Sequence, residues 1–150
     1  MEILIVRHGD PNYALDTLTT KGIREAKLLA KRLSKLEIKA FYCSPLGRAK
    51  KTASYTLKMM KRKAETLDFL REFEGKVIDP EKGKMQCWDR KPAYWTENPD
   101  YYTYDNWCKS ELMQSANTEK EYKRVCEGID ALLEKHGYRH NGKLYDVIEE

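Results

Sequence analysis

An uninterrupted apolar run, Ile3-Leu4-Ile5-Val6, leaves no polar face for solvent and predicts a strand buried on both sides from about Glu2 to Val6. Such a strand needs a covering layer above and below it, and the chain that follows supplies helices in a suitable order. After Thr20, apolar residues at Ile23, Ala26, Leu29, Ala30 and Leu33 recur at helical spacing. Ile38 to Tyr42 offers a second short strand. Ser44-Pro45 then supplies an N-cap and a proline for the first helical position, opening a second helix that runs to about Lys61. Strand, helix, strand and helix in succession predict parallel pairing through right-handed crossovers, the start of a doubly wound α/β sheet.

A third short strand is expected near Glu65 to Phe69, with Leu70 to Gly75 as the loop beyond it. Between Val77 and Asn117 the periodicity is lost and aromatic residues accumulate, among them Trp88, Tyr94, Trp95, Tyr101, Tyr104 and Trp107. This stretch, about 77–117, reads as an insertion that either packs as a satellite core or covers a site as a lid. Helical spacing returns from Thr118 to His136 through Tyr122, Val125, Ile129 and Leu132, and Gly137 is placed to end that helix in a left-handed conformation. A last strand is expected at about Lys143 to Ile148. With 150 residues, 41% of them hydrophobic, the chain suits one domain, 1–150, able to bury a core.

Composition excludes several classes. The 28 Lys and Arg against 24 Asp and Glu give a net charge of +4, a mild preference for anionic ligands. The basic residues of the second helix, such as Arg48, Lys50, Lys51 and Lys58, do not share one face and accompany no nucleic-acid motif, so no nucleic-acid partner is expected. Four dispersed cysteines without a CxxC, and three histidines without ligand spacing beside them, predict reduced thiols and no metal. No apolar segment has membrane-spanning length, and the expected location is cytoplasmic, with no membrane partner.

Arg7-His8-Gly9 follows the first predicted strand, at the carboxyl end where α/β sheets bind their ligands. It combines a nucleophile, a guanidinium that can pair with phosphate oxygens and a glycine that permits close backbone approach, which points to phosphoryl transfer. Taken with Leu18-Thr19-Thr20-Lys21-Gly22, the segment Ser44-Pro45-Leu46-Gly47-Arg48-Ala49-Lys50-Lys51-Thr52-Ala53 and Leu70-Arg71-Glu72, the chain resembles the histidine phosphatase superfamily, the phosphoglycerate mutase-like clan. The resemblance implies a three-layer α/β/α sandwich with a mainly parallel central sheet. It also implies a histidine phosphorylated during turnover, a phosphate pocket of two arginines and a second histidine, and an acidic proton donor. By position the nucleophile corresponds to His8, the pocket arginines to Arg7 and Arg48, and the acid to Glu72.

Two features depart from the family pattern. The second catalytic histidine belongs on a late strand in a hydrophobic run ending His-Gly. His136-Gly137 has those letters at the end of an amphipathic helix, where they read as a dipole-compensating residue and a cap. His140 lies in a turn-like segment and is expected to be exposed. The asparagine common six residues after the nucleophile is replaced by Ala14, with Asn12 nearby. The resemblance thus implies a chain that lacks a C-terminal strand and helix, which would expose the edge of the Ile3 to Val6 strand to self-association. The expected activity is hydrolysis of a phosphorylated small molecule through phosphohistidine without a cofactor. Mutase-type phosphoryl transfer, or an inactive phosphate-ligand or protein-binding module, are the alternatives.

Overall fold

The computed structural model describes residues 1–104 and 106–148. Its first regular pairing is a short antiparallel ladder of β1 (Pro11–Asn12) with β2 (Thr17–Leu18), joined by a 3-10 turn at Tyr13–Leu15 and a left-handed Asp16 (φ 44°). The helix α1 (Thr20–Leu33) starts where Thr19 caps it, its hydroxyl accepting from the Gly22 amide at 3.1 Å, and Lys31 and Arg32 complement the dipole in its last turn. Gly22, Ala26 and Ala30 form a buried stripe four residues apart on α1, which packs against α2 (Gly47–Met60). The buried residues of α2 are Arg48, Thr52 and Thr56, again four apart. Small side chains on one stripe and hydroxyls on the other let the two helices bury each other.

β3 (Tyr42–Cys43) pairs in parallel with β4 (Glu65–Thr66), Tyr42 opposite Glu65, with α2 as the crossover. Arg62 ties this crossover down: its guanidinium donates to the Lys39 carbonyl at 2.6 Å and stacks 5.3 Å from the Phe41 ring centre. Of the strand expected at Ile38 to Tyr42 only Tyr42 lies in β3, and of that expected at Glu65 to Phe69 only Glu65 and Thr66 pair before a 3-10 turn at Asp68–Leu70.

The strand expected from Glu2 to Val6 does not form. Ile3, Leu4, Ile5 and Val6 are exposed, Ile5 at 94%, and no described segment pairs with them. Apolar side chains alone do not make a strand; backbone partners do, and the buried stripes of α1 and α2 face one another instead of this run. The described residues hold four two-stranded ladders, one of them parallel, and no central sheet joins them. The molecule is mixed α/β, and the exposed sheet edge expected at residues 3–6 is a lone exposed segment.

The chain divides into two compact units, Met1–Arg71 and Glu72–Glu150. In the second, β5 (Lys76–Asp79) and β6 (Gly83–Gln86) form a hairpin whose turn is held by the Asp79 carboxylate, which accepts from the amides of Glu81 and Lys82 and pairs with Arg90 at 2.5 Å. Val77, Cys87 and Met113 form its core, with Phe73, Trp95 and Trp107 packed around them. The aromatic stretch also contains α3 (Pro92–Thr96) and α4 (Glu111–Gln114), each too short to show a periodicity in the sequence.

α5 (Thr118–Glu134) is followed by Gly137 at φ 82°, the left-handed stop expected there. β7 (Tyr138–Asn141) and β8 (Leu144–Val147) then form a hairpin that turns at Gly142. His140 accordingly sits in a strand and not in the turn. Its Nδ1 lies 3.0 Å from Asp130 Oδ2 on α5 and its Nε2 2.9 Å from the Gly142 carbonyl, while the Tyr145 hydroxyl donates to Asp130 Oδ1 at 2.5 Å.

Both ring nitrogens of His140 face acceptors, so both donate only when the ring is an imidazolium. The Asp130 hydrogen bond and then the Gly142 carbonyl raise the His140 pKa above its ordinary value, and Asp130 is lowered by Tyr145 first and His140 second. A raised histidine pKa stabilises the fold fully below its unfolded value near 6.5, and that contribution disappears as pH rises through the higher folded value. Amide exchange in β7 and β8 should therefore be faster, after correction for intrinsic rates, at about pH 8 than at about pH 6. His140→Gln should abolish that difference, and a difference that persists would assign the pH response to another group.

Candidate active site

The His8 loop is anchored on both helices of the first unit. The Gly9 amide donates to Thr52 Oγ1 at 3.1 Å, and that hydroxyl in turn donates to the Arg48 carbonyl at 2.8 Å. On the α1 side, Asp10 receives the Thr19 amide at 3.0 Å on its carbonyl and the Thr19 hydroxyl at 2.6 Å on its carboxylate, and its own amide donates to Glu25 at 2.8 Å. Gly22 makes this approach possible, because a Cβ there would lie 2.2 Å from the Asp10 carbonyl oxygen.

His8 is half-buried, and its Nδ1 lies 2.8 Å from the Gly9 carbonyl oxygen. A carbonyl only accepts, so in the neutral ring Nδ1 carries the proton and Nε2 holds the lone pair. The ring meets Tyr13 edge to face, centroids 6.3 Å apart, and the Arg48 guanidinium lies 5.3 Å from the same Tyr13 ring. Tyr13 is thus the shared neighbour of His8 and the buried Arg48.

Arg48 is held by Asp16, a residue that no sequence motif marks. Asp16 Oδ1 accepts from the Arg48 guanidinium at 2.8 Å and Oδ2 from the Gly47 amide at 2.6 Å. The Gly47 amide foremost, with Arg48 behind it, keeps the Asp16 carboxyl below its ordinary range against the opposing effect of partial burial. Asp16 thereby caps α2 from 31 positions upstream. The N-cap residue itself is Leu46, which has no capping side chain, and Ser44 accepts the Leu46 amide at 3.3 Å across Pro45. The expected Ser44 cap is corrected on that geometry. A readable signal did exist: a helix whose first turn carries Arg48 and Lys50 without an acid calls for a carboxylate from elsewhere.

The other site residues are placed more loosely. The side chain of Arg7 is exposed. Glu72 opens the second unit, exposed like Glu74, with Phe73 turned inward between them. Residues two apart in an extended segment face the same way, so only the Leu70-Arg71-Glu72 motif distinguishes Glu72 from Glu74. His136 is exposed just past α5. Among the described residues no group of three His, Cys, Asp or Glu is arranged to hold a metal ion, and no helix is long and apolar enough to cross a membrane.

The family model of the histidine phosphatase superfamily (branch 1) matches residues 3–145. The chain belongs to the histidine phosphatase superfamily. No curated protein matches it. Membership supports phosphoryl transfer of the phosphatase or mutase type, and the match runs through both compact units of this histidine phosphatase superfamily member. Its Arg-His-Gly segment and its Ser-Pro-x-x-Arg segment, 41 residues apart by Arg7 and Arg48, meet in space around Tyr13 through His8 and Arg48.

Proposed function

We propose that this chain is a phosphomonoester hydrolase that acts on a phosphorylated small molecule through a phosphohistidine at His8 Nε2. The observation that carries the proposal is the hydrogen bond from His8 Nδ1 to the Gly9 carbonyl, which leaves Nε2 as the nucleophile with Arg48 across the Tyr13 ring. In the first step Nε2 forms a bond to phosphorus while the ester P–O bond breaks, and Glu72 gives its proton to the departing alkoxide. Arg7 and Arg48 offset the charge that spreads over the peripheral phosphoryl oxygens. Asp16 sets the plane of the Arg48 fork by holding one end of it. In the second step water attacks the phosphohistidine, Glu72 takes the water proton, and inorganic phosphate leaves with the electron pair returned to Nε2.

The parallel pairing of β3 with β4 across α2 supports placing these elements in a doubly wound α/β/α arrangement. The family match over residues 3–145 supports a single phosphatase-type domain. Rapid acid- and base-quench of the protein with an activated aryl phosphate, in the presence of a chelator, tests the chemistry. An acid-labile, base-stable phosphoryl group mapped to His8 is expected. Label on another residue, or turnover with no label under conditions where breakdown limits the rate, would refute the proposed intermediate.

A further inference from the structure

Charge is divided unequally between the two units. Residues 1–71 carry 16 Lys and Arg against seven Asp and Glu, a net +9, whereas residues 72–150 carry 12 against 17, a net −5. The basic unit holds the phosphate-directed residues. The acidic unit holds a different kind of feature, an open aromatic slot.

That slot has a volume of about 320 Å³ and is lined by Phe73, Cys87, Trp88, Trp95, Trp107 and Tyr122. It continues into a second recess of about 300 Å³ that shares Trp95, Trp107 and Tyr122 and adds Tyr101 and Tyr104. Trp107 stands at the centre. Its ring lies 6.3 Å from Phe73, 6.4 Å from Trp95 and 5.1 Å from Tyr122, inclined by 48°, 57° and 77°. These are edge-to-face and tilted packing contacts that fix the Trp107 ring, and the open space lies beside this cluster along the rings that line it.

The slot is also accessible. Trp88 on its wall is 44% exposed and Tyr104 in the adjoining recess 66%, large values for aromatic rings beside an apolar core. No lining residue carries a formal charge. Burial pushes the Cys87 thiol up, and burial with hydrogen bonds to Cys126 and Tyr104 raises Tyr122, so both stay neutral at ordinary pH.

We propose that this aromatic slot is a binding site for a quaternary ammonium group. Ring faces attract a cation through their quadrupoles, most strongly those of tryptophan, and the slot offers three tryptophans. A primary ammonium would lose its hydrogen bonds to water and find no carboxylate among the lining residues to replace them, whereas a quaternary ammonium has no such bonds to lose. The net −5 of this unit raises the local concentration of cations and disfavours an anionic occupant. The site stands on residues of the second unit alone and is independent of the phosphoryl-transfer proposal.

Trp88, Trp95 and Trp107 are all the tryptophans in the chain, so intrinsic tryptophan fluorescence reads this slot and the recess that shares two of them. The full chain is titrated with choline and, separately, with 3,3-dimethyl-1-butanol, its uncharged isostere, at constant ionic strength. Choline is expected to produce a saturable change, and the neutral isostere to bind at least about fivefold more weakly. Trp88→Ala should weaken choline binding at least about threefold without lowering the melting temperature, since Trp88 is the exposed wall. Equal affinity for the two probes would show an ordinary apolar cavity and overturn the proposal. A linear, unsaturable response to choline would do the same. The comparison of probes on the wild-type chain decides the matter even if the variant fails to fold.

Discussion

His8→Ala is expected to lower aryl phosphate hydrolysis by at least about 10³-fold while leaving the melting temperature nearly unchanged. The rate should fall because no other group could take the phosphoryl group in the same place: the substitution removes the one nitrogen whose lone pair is left available by the Nδ1 to Gly9 hydrogen bond. Stability should hold because His8 is only half-buried, its hydrogen bond is to the carbonyl of its own neighbour, and its ring contact is an edge against the exposed Tyr13. Such a loss is on the order of 1 kcal/mol or less. Loss of turnover must therefore be read beside an unfolding curve. Comparable hydrolysis by His8→Ala and wild type, each free of contaminating phosphatase, would remove His8 from the mechanism.

Gly47→Ala is expected to destabilise the first unit by about 3 kcal/mol or more, the sum of a steric clash and a lost helix cap. A Cβ on Gly47 would lie 2.2 Å from the Asp16 carbonyl oxygen and 3.1 Å from Asp16 Oδ2, so Asp16 would have to withdraw. Its withdrawal would uncap α2 and release the Arg48 guanidinium together. The affected atom is backbone, with no flexible side-chain end that could swing away. Gly83→Ala is the matched control: at φ 71°, with nothing within 4 Å of the added carbon, it should cost only about 1 kcal/mol of backbone strain. Urea unfolding of both variants checks the contrast. If Gly47→Ala proved no less stable than Gly83→Ala, the Asp16 bridge would not constrain the helix start. Because this substitution also frees Arg48, it should reduce phosphate binding in whatever fraction remains folded.

Both substitutions turn on Asp16 and His8, and the two differ in how far their sequence surroundings revealed them. His8 stands in a contiguous motif, with flanking residues that announce its chemistry. Asp16 acts on Gly47 and Arg48 across a chain separation that no local pattern encodes. Arg48 lay between these cases. Its motif marked it for phosphate, but its burial against Tyr13 and its ion pair with Asp16 arise only when the β1–β2 turn meets the start of α2.

The helices α1, α2 and α5, the left-handed stop at Gly137 and the membership of His8 and Arg48 in one motif set are legible in the amino-acid order, because apolar spacing, glycine conformational freedom and short motifs are properties of neighbouring residues. That Ile3 to Val6 form no ladder, that His140 joins a strand held to Asp130, and that the aromatic stretch lines an open slot beside Trp107 emerge on folding alone. Each of those outcomes depends on which distant segment supplies a backbone partner, a carboxylate or a facing ring, and a linear pattern carries no information about that choice.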